Sequence, residues 1–220
     1  KYESRITRWI SEPDTGIYNA MNKGVLFASG DYCIFLNSGD LFYADTVLEE
    51  VINSRRTEDI LFGNLAFEKK ESEFTVCEYK NIIDFDYLYE SSLPHPSSFI
   101  RKDLLVRYGL YDEVYRYVSD WAFFIDALFI MNCSYYHLDQ TVSIFNLDGC
   151  TSNPEYAKRI EAERKKHLDL KYRNLCLGLE SQNGSFAVRY SKRHRNSKIL
   201  NNLIRFLDFL FRLRNRFSGR

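Results

Sequence analysis

The segment IFLNSGD, residues 34–40, brings an acidic side chain to the end of an apolar stretch. Its first three residues favour a buried strand, and its last four favour a turn. Ligands of open α/β sheets bind in the crevice beyond the carboxyl ends of the strands. Asp40 is therefore expected where a ligand or a metal ion can meet it, although an acid in this position can also simply cap a turn.

Hydrophobic periodicity predicts the elements that position Asp40. A short strand at Ser4–Ile10 is followed by an amphipathic helix, and the strand DYCIFL then leads to the turn. A strand, a helix and a strand in this order form the building block of a parallel sheet. The predicted apolar stripe of the helix consists of Ile17, Met21, Gly24 and Ala28.

The rest of the chain alternates between helical and extended patterns. Ser119 is a suitable N-cap for a buried helix, DWAFFIDALFIM, and Gly109 can end the helix in KDLLVRYG. Asp45 can cap a helix that runs to Arg55 and turns Val47, Leu48, Val51 and Ile52 inward. Strands are predicted in DILFGNLAFE, FTVCEYK and HLDQTVSIF, and a long charged helix in NPEYAKRIEAERKKHLDLKYRNL.

The composition predicts one sizeable core and a strongly uneven distribution of charge. The 220 residues are 45% hydrophobic and carry no formal net charge. Residues 189–220, however, contain ten Lys or Arg and the single acid Asp208, so this tail carries +9 and residues 1–188 carry −9. The acidic body argues against general nucleic-acid binding, whereas the basic tail can meet phosphate groups.

The cysteines and the hydropathy pattern predict the compartment. The five cysteines are widely spaced and include no C-x-x-C pair, which favours a reducing cytoplasm over a disulfide framework or a zinc site. The start KYESRITRWISEPD lacks the apolar region of a secretory signal. No apolar run reaches the roughly 18 residues that span a bilayer. We expect a cytoplasmic protein that is soluble or lies on the inner face of the membrane.

The segment SEPDTGIYNAMNKGVLFASGDYCIFLNSGD resembles the family 2 glycosyltransferases, in particular the bacterial members that build surface polysaccharides. Those members carry a pattern close to E-x-D-x-G-I-Y-D-A-M-N-K-G, a spacer, and F-L-N-S-G-D. The resemblance continues more weakly through HPSSFIRKDLL, YGLYDE and SDWAFF, so it covers roughly residues 8–130. It implies an α/β fold of the GT-A type, a Rossmann-like mixed sheet flanked by helices that binds a nucleotide sugar.

The resemblance also implies a divalent cation, Mg²⁺ or Mn²⁺, at the loop that ends in Asp40. A hard cation binds through one or two carboxylates together with substrate phosphates and water, which suits a single acid at this position. The family's earlier acids are replaced here by Asn37 and Gly39, so we expect weak metal binding without the donor diphosphate. Asn37 and Ser38 can hydrogen-bond ribose or phosphate.

Four further residues match family positions near the nucleotide sugar. Asp14 matches an acid that contacts base or ribose, and it can also act as an acid at a helix N-terminus. Asn22 and Lys23 match positions near the nucleotide or its diphosphate, although Lys23 can equally be a solvated helix residue. His95 matches a histidine that faces the acceptor or the phosphates, where it can donate a hydrogen bond or stiffen the loop.

Asp120 matches the second acid of the family's E-D pair, whereas Ser119 replaces the first. The resemblance implies that Asp120 is the general base of an inverting transfer, which accepts the proton of the acceptor hydroxyl. The alternative is an acid that interacts with the helix N-terminus, where unpaired N–H groups favour a carboxylate.

The chain departs from the family at its start, where roughly 60 residues of the usual fold are expected but missing. We therefore predict a partial GT-A domain at residues 1–150, a helical extension at 151–188, and a basic amphipathic helix at 189–220. The apolar face of that helix suits an anionic membrane surface or the acidic body of the protein. The residues of this face are Leu203, Phe206, Leu207, Leu210 and Leu213.

Two functions follow from these patterns. The first is an inverting, metal-dependent glycosyltransferase that uses a nucleotide sugar of the UDP type and a glycan or lipid-linked acceptor in bacterial polysaccharide synthesis. The second is a non-catalytic remnant that acts as a membrane-associated or partner-binding module. Asp40 and Asp120 favour the first, and the missing opening strands favour the second.

Overall fold

The computed structural model describes residues 6–70, 73–146 and 156–177. The chain divides into two compact units, Lys1–Ile160 and Glu161–Arg220. The predicted helical tail at 189–220 lies outside the described residues. Within them, no helix is both long and apolar enough to cross a bilayer.

The first unit alternates short helices with the strands of one sheet. Its helices are α1 (Ile17–Phe27), α2 (Val47–Asn53), α3 (Phe85–Glu90), α4 (Lys102–Tyr108) and α5 (Ser119–Phe129), with a 3₁₀ turn at His95–Ser97. Its strands are β1 (Tyr32–Cys33), β2 (Leu41–Phe42), β3 (Ile60–Lys70), β4 (Glu73–Cys77), β5 (Ser98–Arg101) and β6 (Tyr135–Phe145). Helix α6 (Ala157–Lys171) follows, and it extends from the first unit into the second.

The sheet is mixed, as the sequence predicted. The strand order is β1-β5-β3-β6-β2, with β4 paired to the far half of β3. Strands β3 and β6 are parallel, and the other described pairs are antiparallel. The expected parallel unit at the start of the chain is not observed, because residues 6–10 form no strand and β1 pairs antiparallel with β5.

The centre of the sheet is covered on one side by α2. Val47 of α2 packs with side chains from β3, β5 and β6 in a buried apolar cluster, and Val51 packs against its edge. The predicted inner face of α2 is therefore half right, since Leu48 and Ile52 are 44% and 74% exposed. The helix begins at Val47 with Thr46 in the cap position, so the predicted cap at Asp45 is wrong.

Helix α5 is the most enclosed helix that the structure describes. It is apolar on almost every side, which is typical of a helix that is surrounded by protein. Trp121 donates its indole N–H to the Leu88 carbonyl at 2.7 Å, which ties α5 to α3. The buried residues of α5 are Ser119, Trp121, Ala122, Phe123, Phe124, Ile125, Asp126, Ala127 and Leu128.

The inward face of α1 agrees only in part with the predicted apolar stripe. Met21 is buried as predicted, but Ile17 is 48% exposed and Gly24 is exposed, so the stripe is wrong at these two positions. The inward face carries polar atoms that find specific partners inside the protein, and those bonds offset the cost of burying them. The buried residues of α1 are Tyr18, Met21, Asn22 and Val25.

Gly109 ends α4, as the sequence predicted. Its backbone is left-handed, with φ of 98°, and a Cβ on Gly109 would meet no atom within 4 Å. Gly24 also has open space around it, but it lies inside helix α1. The two glycines therefore differ in backbone conformation and not in packing.

The substitutions Gly109→Ala and Gly24→Ala should change stability in opposite directions. Gly109→Ala should lower the free energy of unfolding by about 1–2 kcal/mol because alanine is strained in a left-handed conformation. Gly24→Ala should raise it by about 0.5–1 kcal/mol because alanine favours the helix. Urea unfolding of both variants measures the effect. A loss at both positions would contradict the conformational explanation.

Candidate active site

The loop before β2 holds the Asp40 carboxylate between two backbone N–H groups. Its Oδ2 accepts from the Asn37 N–H at 3.1 Å, and its Oδ1 accepts from the Asn146 N–H at 2.9 Å. The Asp40 N–H in turn donates to the Asn37 carbonyl at 2.9 Å. Asp40 is only 8% exposed and ties the end of β6 to the loop.

Gly39 allows this loop to close. Its φ of 94° favours glycine, and a Cβ at Gly39 would collide with the Asn146 side chain, whose Cγ lies 2.9 Å away. A larger residue would force the Asn146 side chain to move. The left-handed backbone and this contact together favour glycine at position 39.

The residues around Asp40 fit a cation that takes most of its ligands from elsewhere. Each carboxylate oxygen of Asp40 accepts one hydrogen bond from a backbone N–H and retains a second acceptor site. Within the described ranges, no group of three or more His, Cys, Asp or Glu side chains could hold a metal ion. A cation at Asp40 would therefore need substrate phosphates and water as further ligands.

His95 lies buried in an aromatic cluster behind this loop. Its ring stacks on Phe35 at a centroid distance of 5.1 Å and meets Tyr111 and Phe124 edge-on. Its Nε2 is 2.9 Å from the Tyr111 hydroxyl. Burial lowers the pKa of His95, so the ring is uncharged at neutral pH. Burial also holds the pKa of Tyr111 well above its usual value, so the phenol keeps its proton.

Asp120 lies in the first turn of α5 and accepts one hydrogen bond from helix α1. The Tyr18 hydroxyl donates to Asp120 Oδ1 at 2.7 Å. Tyr18 is 6% exposed, whereas Asp120 is half-buried. Burial, followed by the charge of Asp120, raises the pKa of Tyr18 far above its usual value. The carboxylate is therefore held by a neutral phenol.

The charges of Asp120 and Asp40 both act on the His95 ring. Each raises the pKa of His95 and so opposes the larger effect of burial. Contacts connect both acids to the aromatic cluster of this ring. Phe35, which stacks on His95, opens the segment that ends in Asp40. Asp120 is bonded to Tyr18, whose ring packs against Tyr111.

Asn22 joins α1 to the loop that carries Tyr111. Its Nδ2 donates to the Tyr111 carbonyl at 2.9 Å, and its Oδ1 accepts from the Tyr111 N–H at 2.9 Å. Asn22 also donates to Glu113 at 3.0 Å, as do Asn19 at 3.0 Å and Thr15 at 3.3 Å. The Asn22 amide therefore forms its hydrogen bonds with other residues of the protein. Its predicted contact with the nucleotide stays a prediction.

The other predicted binding residues lie at the surface. Asp14 accepts from the Gly16 N–H at 3.0 Å, just before α1. Lys23 donates to the Pro13 carbonyl at 3.0 Å and pairs with Glu12 at 2.7 Å. The side chains of Asn37 and Ser38 are exposed on the Asp40 loop. The predicted contacts of these four residues with a nucleotide sugar stay predictions.

Ser119 has a buried hydroxyl without a hydrogen-bond partner among the described residues. The residue is 1% exposed and forms the first position of α5. Its predicted role as an N-cap is wrong, because Val118 occupies the cap position and its carbonyl accepts from the Ala122 N–H. The Ser119 hydroxyl thus contributes no bond to the helix terminus.

Sequence reasoning missed the residues that connect these groups. Tyr18 and Tyr111 hold Asp120 and His95, yet they read as ordinary aromatic core residues in the sequence. Glu113 collects three side-chain donors from α1 and its N-terminal flank, a role that only the folded chain reveals. The one available signal was that the segments GIYNAMNKG and YGLYDE both belong to the resemblance.

Comparison with known proteins places this chain near glycosyltransferases. A PGL/p-HBAD biosynthesis glycosyltransferase of Mycobacterium bovis is 27% identical over 157 residues, which are 68% of this chain and 59% of the relative. An uncharacterized glycosyltransferase of Mycobacterium tuberculosis is 27% identical over 135 residues, 56% of this chain and 48% of the relative. The chain thus spans about half the length of the curated relatives that it matches. No family model matches it.

A solved structure shares the fold. The TarS fragment 1–349 of S. aureus, crystallised with UDP, superposes with a TM-score of 0.51 at 16% identity. The match covers 66% of this chain and 45% of the TarS chain. At this level of identity the likeness concerns the fold, which is the mixed α/β arrangement described above.

Replacing Asn22 by Ala should cost far more stability than the same change at Asn19. Asn22→Ala leaves the buried N–H and carbonyl of Tyr111 unpaired, so the free energy of unfolding should fall by about 2–3 kcal/mol. Asn19→Ala, on the same helix, removes exposed hydrogen bonds to Glu113 and to the Thr15 N–H, and it should cost under about 1 kcal/mol. Chemical denaturation measures both. Equal losses would show that Asn22 does not hold the Tyr111 loop.

Ser119→Ala should leave stability unchanged or raise it by up to about 1 kcal/mol, because it removes a buried hydroxyl that lacks a partner. Ser97 provides the matched control, since its buried hydroxyl donates to the Asn64 carbonyl at 3.1 Å and bonds Ser143 at 2.6 Å. Ser97→Ala should lower stability by about 1–3 kcal/mol. Thermal unfolding compares them, and a loss at Ser119 as large as at Ser97 would contradict the assignment.

Proposed function

We propose that this chain acts in an inverting, metal-dependent glycosyltransferase. It transfers a sugar from a nucleotide-sugar donor of the UDP type to a hydroxyl of a glycan or lipid-linked acceptor in polysaccharide biosynthesis. The observation that supports the proposal is that both acids connect to the aromatic cluster of His95 and Tyr111, Asp40 through the segment that begins at Phe35 and Asp120 through Tyr18. A glycosyl transfer needs a group at the leaving diphosphate and a group at the incoming hydroxyl, and two acids from distant parts of the chain supply them.

Asp120 is the general base in this proposal. Its Oδ1 is engaged by Tyr18, so Oδ2 is the oxygen that accepts the proton of the acceptor hydroxyl. The freed oxygen forms a bond to the anomeric carbon, while the bond from that carbon to the diphosphate breaks and its electrons leave with the diphosphate. Base assistance of this kind is typically worth about 10²–10⁴ in rate.

The Asp40 loop forms the donor side. The exposed Asn37 and Ser38 side chains offer hydrogen bonds to ribose or phosphate, and Asp40 would hold the cation through its remaining acceptor sites. A bound Mg²⁺ or Mn²⁺ supplies Lewis-acid stabilisation of the charge on the departing diphosphate. The backbone bonds keep the Asp40 carboxylate fixed whether or not the donor is bound.

The relatives support this class of reaction, because the curated proteins similar to the chain carry glycosyltransferase names. TarS, which shares the fold, has been crystallised with UDP, and this favours UDP as the nucleotide. The basic segment 189–220 favours an anionic membrane surface on the cytoplasmic side, where a lipid-linked acceptor would be found. Membrane binding by this segment stays a prediction.

UDP with Mn²⁺ should stabilise the chain if this proposal holds. At a ligand concentration of 100 times Kd, binding to the folded state adds about 2.7 kcal/mol of stability. Thermal unfolding with UDP, Mn²⁺ and the two together measures the gain. No shift at millimolar UDP and Mn²⁺ would overturn the proposal and leave the non-catalytic binding module as the better account.

Three Asp→Asn variants test the assigned roles. Asp40→Asn should remove the extra stabilisation that Mn²⁺ gives to UDP binding. Asp120→Asn should retain the UDP and Mn²⁺ response but lose sugar transfer. Asp139→Asn removes an exposed carboxylate of β6 and should behave like the unmodified chain in both assays. An Asp40→Asn variant with a normal Mn²⁺ response would refute the metal assignment.

A further inference from the structure

We propose that Tyr18 is a positioning residue that fixes the Asp120 carboxylate for proton transfer. The inference rests on the proposed function and extends it to a residue of the GIYNAMNKG segment. The tyrosine comes from α1 and the acid from α5, 102 residues apart in the chain. Tyr18 does not touch the reacting atoms in this account; it acts through Asp120.

The hydrogen bond between them has a fixed direction. The Tyr18 hydroxyl donates at 2.7 Å, and its raised pKa keeps the proton on the phenol. Within the described part of the chain, Asp120 accepts no other side-chain hydrogen bond. The phenol therefore occupies Oδ1 and leaves Oδ2 of a half-buried carboxylate available to a substrate hydroxyl.

The position of the Tyr18 hydroxyl is itself fixed from two sides. The Tyr18 ring is 6% exposed and packs against Tyr111 at a centroid distance of 5.6 Å. One turn further along α1, Asn22 forms hydrogen bonds with the backbone N–H and carbonyl of the same Tyr111. Because both contacts converge on Tyr111, the hydroxyl has little freedom to move. Reactions lose rate steeply when a reacting group is misplaced by about 1 Å, so such rigidity benefits a general base.

Helix α5 carries a second carboxylate that accepts from a tyrosine, and this pair distinguishes a positioning role from simple packing. The Tyr108 hydroxyl donates to Asp126 Oδ2, also at 2.7 Å. Asp126 is 1% exposed, so no substrate can reach it, whereas Asp120 is half-buried. The two bonds match in chemistry and length, and both accepting carboxylates lie on α5. They differ in whether the carboxylate is open to a ligand.

The test compares Tyr18→Phe with Tyr108→Phe in the whole chain. Release of UDP from UDP-glucose, UDP-galactose and UDP-N-acetylglucosamine with Mn²⁺ gives kcat and KM, with water as the acceptor. Tyr18→Phe should lower kcat about 10–100-fold and leave KM and the UDP-induced thermal shift unchanged within about twofold. Tyr108→Phe should lower stability and leave kcat unchanged.

The outcomes distinguish failure of the positioning role of Tyr18 from failure of the proposed function. Equal kcat values for the two variants, or a Tyr18→Phe loss that appears in KM instead of kcat, would overturn the positioning role alone. Wild-type chain that neither binds UDP nor releases it would overturn the proposed function and this inference with it. In that case, urea midpoints of Tyr18→Phe, Asp120→Asn and the double variant still report the bond: additive shifts would show that the two side chains are not coupled.

Discussion

The buried contact between His95 and Tyr111 is the interaction on which the site depends. Tyr111 is where three separate parts of the chain meet: α1 through Tyr18 and Asn22, the segment before the acidic loop through Phe35, and the 3₁₀ turn through His95. Aromatic rings packed edge-on resist sliding, since their geometry is specific as well as apolar. Polar groups bonded to this cluster are held in place by it, as Asp120 is through the Tyr18 hydroxyl.

The motif on α1 shows how polar residues can serve a site without touching a ligand. Tyr18, Asn19 and Asn22 all direct their side chains to the segment 111–120, which approaches from far along the chain. The sequence pattern singled out this segment as part of the site, and its predicted contacts with a nucleotide stay predictions. A pattern of residue types does not specify which partner each amide or hydroxyl will meet.

The elements that depend on local patterns were predicted well. The alternation in β3, β4 and β6, the glycine after α4 and the apolar run of α5 each record a local preference, and the structure confirms them. The face of α1 could not be predicted, because Tyr18 and Asn22 are buried by bonds to residues about 90–100 positions away. The strand before Asp40 is only Tyr32–Cys33, shorter than predicted, and two residues later the Phe35 ring stacks on His95, which is 60 positions further along the chain.

The pairing of β3 with β6 has a consequence for how the chain acquires its structure. Ile60 lies beside Tyr135 in a parallel ladder, so 75 residues must be in place before the two central strands can meet. Contacts between such distant segments require a large loss of chain entropy before they contribute stability, and parallel pairs of this kind form slowly. On the ribosome, the hairpin of β3 and β4 would emerge and fold long before β6 is synthesised. During that interval the edge of β3 that will pair with β6 is unpaired and can bind strands of other chains. The order of synthesis therefore exposes this protein to aggregation.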